Sequence, residues 1–534
     1  MMEPLSSLRS LPPEGAGPGS GRPGTGAFLR DLPVLILGLG DSGLAMARWC
    51  ARCGAQVTVW DSRATPPGAG ALASELPLIT LRGGPLTAES LGAAQLVLKS
   101  PGLPPRDPRI APLLQEARAT GIAVLGELDL FARALADLKE TRGYAPKLLA
   151  ITGTNGKTTT TAMTALLVQR AGKRVVMAGN IGPTLLDTLS ARLDDLPEVW
   201  VLELSSFQLE GGGTGVQRGP QGFEPSAAAV LNITQDHLDW HGDMAAYQAA
   251  KSRAFGQLAL MVINHDDPLV EALVPQAVAP KGKLKPVERQ VVRFGLEAPR
   301  HHGDFGLVVE NGMAWLVRAL PAEEGLRRRK GEADEIHLQR LMPADALRVR
   351  GRHNAANALA ALALATAIGC PLAPMLHGLR EYEGEPHRVQ FVTRIDDVEV
   401  FDDTKGTNVG ATVAALDGLG ADKAPSKLVV ILGGQGKGQD FGPLSAPLQR
   451  HARAVATLGV DAALVEAAVP AGIPMQRHAS LPEAVAWCLA QAQAGDALLL
   501  SPACASLDMF RNYVHRGEVF QEAALELARE RGQA

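Results

Sequence analysis

The chain has 534 residues, enough for about three domains at ~150 residues each. Hydrophobic residues make up 46% and charged residues 20%, the balance of a globular protein with a sizeable core, and the formal net charge of −4 argues against a nucleic-acid partner or an anionic membrane surface. No apolar run approaches the ~20 residues of a membrane span, so membrane insertion is not expected, and five scattered cysteines do not make a disulfide framework.

Residues 1–30 read as a disordered tail with no targeting signal, because Gly, Pro and Ser dominate and no apolar core is present. The first folded segment, residues 31–142, opens with VLILGLGDSGLAMARWCARCGAQVTVWDSR, a strand, glycine turn, helix and strand. Gly38, Gly40 and Gly43 form G-x-G-x-x-G and Asp61 ends the second strand, which predicts a Rossmann-like, nucleotide-binding fold. Cys50 and Cys53 form C-x-x-C inside the helical pattern and read as reduced helix residues. Further strands are expected at Gln95–Gly102, ending in the turn Ser100-Pro101-Gly102, and in IAVLGELDLF, closing near Phe131. A linker follows at Arg142–Pro146.

The second segment, residues 143–384, opens with AITGTNGKTTTT. An apolar strand runs into Gly153, Thr154, Asn155, Gly156, Lys157, Thr158 and Thr159. The two glycines let the backbone aim N–H groups at an anion, Lys157 offers a point charge to phosphates, and the Thr158 hydroxyl suits Mg²⁺. The spacing G-x-x-G-K-T is two residues tighter than the common phosphate loop. Near-continuous apolar strands at Arg174–Asn180, Val199–Ser206 and Ala227–Thr234 fit a buried, mostly parallel sheet. Asn180, Glu203 and Asp236-His237 stand at their carboxyl ends, where ligands bind in open α/β sheets. Lys157, Thr158, Glu203 and His237 could together build a site for ATP and Mg²⁺. Lys251 lies in a helical pattern and by itself reads as an exposed lysine. The glycine-rich stretch 210–222 reads as a flexible insertion, and the charged stretch 322–345 as a surface hairpin loop or disorder. Gly351–Gly369 reads as a long Ala/Leu helix carrying Asn354 and Asn357 on one face. The third segment, residues 385–534, has strands at Val398–Asp403, Lys427–Gly434, Arg453–Gly459 and Ala497–Ala503, again doubly wound. The expected fold class is therefore α/β with three domains: Rossmann-like, central phosphate-loop ATPase-like, and Rossmann-like again.

The ordered array TGTNGKTTT, ELSSFQLE, NITQDHLD, YQAAK, GRHNAANALAA, PHRVQFV and DDTKGTN resembles the Mur ligase family, the ATP-dependent amide ligases of peptidoglycan precursor synthesis, over about residues 32–525. Sister ligases resemble one another in carrying D-x-A-H-N-P or a relative where this chain has Asp402-Asp403-Thr404-Lys405-Gly406-Thr407-Asn408. That stretch, with ILGGQGKGQDF and LSPACASLDMF, is similar to the D-glutamate-adding branch. The resemblance implies a cytoplasmic, monomeric enzyme that uses ATP and two Mg²⁺ ions to join D-glutamate to UDP-N-acetylmuramoyl-L-alanine through an acyl phosphate. It implies that Lys251 is carbamylated and binds metal together with Thr158, Glu203 and His237. It assigns Leu39, Asp41, Ser42, Asp61, Ser62, Arg63, Ser100 and Gly102 to the uridine diphosphate, and Asn180 and His237 to the neighbourhood of substrate and metals. Asn354, Asn357, Arg388 and Asp403 would serve the nucleotide. Lys405, Thr407, Lys437, Ser506 and Leu507 would serve D-glutamate. Tyr513 departs from the Phe usual near the glutamate. Two other readings are a sister ligase for another amino acid, such as a folylpolyglutamate-type enzyme, and a regulator that keeps the nucleotide fold without the chemistry.

Overall fold

The computed structural model describes residues 25–211, 222–275, 289–321 and 336–533. Residues 1–24, nearly all of the 210–222 insertion, and residues 322–335 lie outside the described residues. The first sheet contains β1 (Pro33–Leu37), β2 (Gln56–Trp60), β3 (Thr80–Arg82), β4 (Leu96–Lys99) and β5 (Ala123–Leu125), all parallel in the order β3-β2-β1-β4-β5. The second holds β6 (Lys147–Thr152), β7 (Val175–Gly179), β8 (Val199–Glu203), β9 (Ala227–Val230), β10 (Leu260–Asn264), β11 (Val291–Phe294), β12 (Phe305–Glu310), β13 (Met313–Pro321) and β14 (Ile336–Pro343). Their order is β14-β13-β12-β11-β10-β9-β6-β8-β7, with β12 to β14 antiparallel. The third holds β15 (Gln390–Ile395), β16 (Val398–Asp402), β17 (Leu428–Gly433), β18 (Ala452–Leu458), β19 (Met475–Arg477) and β20 (Ala497–Leu500), ordered β15-β16-β20-β17-β18-β19 with only β15 antiparallel.

Chain order and strand order diverge at β1/β4, at β9/β6/β8 and at β16/β20/β17. At such switch points the following loops part and leave a crevice at the carboxyl ends. Every strand of β6 to β9 is buried along nearly its whole length, as strands covered on both faces must be. One apolar cluster crosses from the first sheet to the second, with Phe131 edge-on to Trp200 at 5.0 Å, so these two domains share a core. The helix Arg352–Ala367 buries an Ala/Leu face against Lys157–Arg170, as its composition predicts.

Three sequence expectations need correction. The tail reaches too far: Ala27–Leu29 form a 3₁₀ turn, Leu29 is fully buried, and the Gly26 N–H donates to Asp137 Oδ2 at 2.9 Å. The IAVLGELDLF strand stops at Leu125, since Gly126 caps a helix over Glu127–Arg142 and donates its N–H to Asp129 Oδ2 at 2.7 Å. Residues 336–343 of the charged stretch pair with β13 as an edge strand, where exposed charge suits the unpaired side.

Gly43 is required by packing, because a Cβ there would lie 1.9 Å from the Gly38 carbonyl oxygen. Gly43→Ala is expected to cost about 2–4 kcal/mol. A lowered urea midpoint followed by circular dichroism is the check, and an unchanged midpoint would contradict this packing.

Candidate active site

In the first domain, Asp61 closes the glycine turn from below. Its Oδ2 accepts the Leu39 N–H at 2.7 Å, and Arg63 donates Nε to Oδ1 at 2.9 Å and Nη2 to Oδ2 at 2.7 Å. Burial alone would raise this carboxyl, but the bonds from Arg63 and Leu39 outweigh it and hold it at about 2. Asp61 is thus occupied in shaping the loop. Ser100 Oγ donates to the Gly38 carbonyl at 3.0 Å, tying the end of β4 to the turn after β1. Ser62 accepts from Arg109 Nη1 at 3.0 Å. Asp41 and Gly102 are exposed at the same edge, and Ser42 stands in the first turn of the helix Asp41–Arg52.

The second domain builds a buried cationic centre. Gly153 (φ 155°) and Gly156 (φ 81°) adopt conformations that favour glycine, and Gly156 caps the helix Lys157–Arg170. Thr154 Oγ1 donates to the Thr234 carbonyl at 3.1 Å, and the Asn155 N–H donates to Asn232 Oδ1 at 2.7 Å, so the loop after β9 braces the phosphate loop. Lys157 Nζ donates to the carbonyls of Gly153 at 2.9 Å and Thr154 at 2.7 Å. Lys251, expected on sequence grounds alone to be exposed, is buried on the helix Met244–Ser252, and its Nζ donates to the same Gly153 carbonyl at 2.8 Å. Burial first, then the Lys157 charge, pushes Lys251 well below the ordinary lysine pKa. Burial also lowers Lys157, partly offset by Glu203.

Glu203 closes β8 with its carboxylate buried. Asn180 Nδ2 donates to Oε1 at 2.9 Å, while Oε2 is buried without a hydrogen-bond partner. An anionic oxygen left unpaired in a buried site is costly unless a cation fills it. His237 sits at φ 54° beside Phe207, with ring centroids 4.7 Å apart, and burial pulls its pKa down, leaving a neutral imidazole able to ligate. Among the described residues no three His, Cys, Asp or Glu side chains converge as a ready-made metal cage. The unpaired Glu203 oxygen and the neutral His237 ring are groups able to take a cation that completes its shell with water and phosphate oxygens.

The third domain reaches into this centre. Arg388 Nη2 donates to Thr158 Oγ1 at 2.7 Å, and Asn155 and Asn408 exchange amide hydrogen bonds at 3.0 and 3.2 Å. A cavity of about 250 Å³ lies between the domains. Thr159, Phe294, Asn354, Asn357, Arg388 and Asp403 are among its lining residues, which brings together all the nucleotide residues expected from the third segment and the Ala/Leu helix. Asp403 accepts from Ser501 Oγ at 2.6 Å, and burial raises it to about 7.

Lys405, Thr407, Lys437, Ser506 and Leu507 come from the loops after β16, β17 and β20, which are neighbours in the sheet. Gln435 and Ala505 join two of these loops by paired backbone bonds at 3.0 and 2.9 Å. Thr407 is half-buried, Ser506 buried, and Lys437 and Leu507 exposed. Lys437 and Lys157 both help to lower the His237 pKa, so the loop after β17 faces the phosphate loop. Tyr513 does contact this set: Lys405 Nζ donates to its hydroxyl at 2.9 Å and lies 4.4 Å from the ring centre. Sequence reasoning assigned no role to Asn408 or Arg516. Asn408 ends a quoted motif, whereas Arg516 gives no signal inside an amphipathic helix.

A raised Asp403 carries a pH signature. Its native pKa of about 7 exceeds the unfolded value of 3.8, so the native state binds the extra proton between pH 4 and 7. The protonated form contributes stability that is present below pH 4 and lost as pH rises to 7. Asp403→Asn is expected to flatten that decline, on the order of 1–3 kcal/mol, in urea midpoints measured from pH 4 to 8. Parallel curves for both proteins would refute the assignment.

The same regions match known families. The profile of the Mur ligase MurD-like N-terminal domain matches residues 33–126, that of the Mur ligase middle domain 151–365, and that of the Mur ligase glutamate ligase domain 387–504. A UDP-N-acetylmuramoylalanine--D-glutamate ligase of Albidiferax ferrireducens is 60% identical over 511 residues, covering 95% of this chain and 98% of that protein. The same-named protein of Polaromonas sp. is 50% identical and covers 94% and 99%. Among solved structures, the MurF ligase of Thermotoga maritima in complex with ADP superimposes with a TM-score of 0.56 at 15% identity, over 94% of this chain and 96% of that one. That last likeness is one of fold alone.

Proposed function

This chain belongs to the Mur ligase family, and we infer that it is an ATP-dependent ligase that joins D-glutamate to UDP-N-acetylmuramoyl-L-alanine in peptidoglycan precursor synthesis. The observation that carries the reading is near-full-length identity of 60% to a ligase of that name. The meeting of second- and third-domain loops around one cavity, with Arg388 on Thr158 and Asn408 on Asn155, supports it independently.

The chemistry can be written from the residues. The uridine diphosphate lies along Leu39, Asp41, Ser42, Ser62, Arg63, Ser100 and Gly102, with Asp61 holding the loop. The ATP base enters the cavity between Asn354, Asn357 and Asp403, and the phosphates meet the N–H groups of the loop from Gly153 to Thr159. Lys157 and Arg388 offset the negative charge of the γ-phosphate oxygens as the phosphoryl group is transferred. A substrate carboxylate oxygen attacks phosphorus, the bond to the bridging oxygen breaks, and ADP departs, leaving an acyl phosphate. The D-glutamate nitrogen then attacks the carbonyl carbon; the C–O bond to phosphate breaks, and a proton is released. Mg²⁺, when bound, neutralises phosphate oxygens, and Thr158, Glu203, His237 and a modified Lys251 would hold two such ions. Asn180 orients Glu203 and borders the acceptor. Lys405, Thr407, Lys437, Ser506 and Leu507 would receive the amino acid, whose two carboxylates need cations and donors to offset desolvation. A cytoplasmic monomer is the setting this reading implies. Among the described residues no helix is long and apolar enough to cross a membrane.

Phosphate release with UDP-N-acetylmuramoyl-L-alanine and an amino-acid panel tests the assignment. Release with D-glutamate, and at least about 100-fold less with L-glutamate, is expected. Release driven by another amino acid would favour the sister-ligase reading, and none at all would favour a regulator.

Lys251 is proposed to be carbamylated. A buried neutral amine is the form that takes up CO₂, and its environment favours that form. Lys251→Ala should lower kcat at least 100-fold, with part restored by a short carboxylic acid in solution. An unmodified mass for this side chain in metal-loaded, substrate-saturated protein would overturn the proposal.

A further inference from the structure

Arg516 lies in the first turns of the last helix, Tyr513–Glu530, with 0% of its surface exposed. A buried arginine usually faces a carboxylate. Among the described residues this one donates hydrogen bonds only to neutral oxygens. Nε reaches Thr404 Oγ1 at 2.8 Å, Nη2 reaches the Thr404 carbonyl at 2.9 Å, and Nη1 and Nη2 both reach the Cys504 carbonyl at 3.1 Å. Thr404 directly precedes Lys405, and Cys504 lies two residues before Ser506. These belong to the two loops after β16 and β20 that the proposed function gives to D-glutamate. The same helix start adds two bonds: the Tyr513 hydroxyl accepts from Lys405 Nζ, and the Tyr513 carbonyl accepts from Thr404 Oγ1 at 3.2 Å. Asn512 caps this turn by accepting the His515 N–H at 2.9 Å.

The geometry points to Arg516 as a positioning residue that sets the spacing of the two amino-acid loops and thereby governs affinity and handedness for D-glutamate. The guanidinium suits this task because its fixed planar fork spans two strands' ends, which a flexible ammonium cannot do. Burial pulls it down to about 10, so it keeps its charge at neutral pH and strengthens its bonds to the carbonyl dipoles. A purely structural arginine would support fold and all substrates alike; this one bonds to the residue directly before Lys405 and to one two residues before Ser506.

The inference rests on the D-glutamate reading. Its test uses the full chain as Arg516→Met, Arg516→Lys and Thr404→Val, with KM and kcat for ATP, UDP-N-acetylmuramoyl-L-alanine and D-glutamate each varied in turn, and with thermal midpoints. Arg516→Met should raise KM for D-glutamate at least about tenfold and reduce discrimination against L-glutamate, leaving the other two KM values within about twofold. Arg516→Lys should recover part of the loss, and Thr404→Val should show a smaller change of the same kind. A D-glutamate KM unchanged in a folded variant, or three KM values rising together with a lower midpoint, would overturn it. If Arg516→Met does not fold, Arg516→Lys and Thr404→Val decide by the same criteria. Wild-type enzyme that does not respond to D-glutamate would instead defeat the reading on which the inference rests.

Discussion

Two lysine side chains, Lys157 and Lys251, donate to one carbonyl oxygen, that of Gly153. Lys251 is buried and Lys157 half-buried, and no carboxylate stands within ion-pair distance of either among the described residues. Placing like charges together in a low-dielectric site is unfavourable, so the surroundings must answer it. Glu203 and Asp236 do so at longer range, while Arg388 and Lys405 from the third domain add to the excess. A centre so arranged is complementary to a polyanion, and loops of the second and third sheets are disposed around it.

This centre explains why the carboxyl edges carry nearly every functional group. A parallel strand delivers its last residue and the following loop to one edge, so alternation of strand and helix gathers Asn180, Glu203 and the loop after β9 beside the phosphate loop without further instruction. The third domain repeats the device with β16, β20 and β17. Its contribution differs in kind, since Lys405, Thr407 and Lys437 sit on loops that need fixing from outside the sheet, by the Gln435–Ala505 pair and by the last helix.

Much of this was legible in the chain. Buried parallel strands appear as apolar runs, and the glycine turn from Gly153 to Gly156 before a helix is signalled by two glycines, a lysine and a hydroxyl directly after an apolar strand. The antiparallel extension from β12 to β14 is not evident in the sequence, because its strands mix exposed and buried positions and the last, IHLQRLMP, continues a charged stretch. Leu125 to Phe131 is deceptive for another reason: an apolar strand passes through one glycine into a helix whose first turn alternates apolar and acidic residues as a strand would. Lys251 shows the limit of local reading. Nothing within its own helix indicates burial, which is decided by Gly153, almost a hundred residues earlier. The environment of Arg516 is likewise set by two carbonyls that no side-chain pattern records.

The seam between the second and third domains also has a bearing on solution conditions. Asn155 and Asn408 meet as uncharged amides, and Arg388 meets a hydroxyl. Counterions weaken attraction between opposite charges at a surface far more than hydrogen bonds between dipoles. Raising ionic strength should therefore leave these hydrogen bonds nearly intact while slowing the arrival of multiply charged ligands.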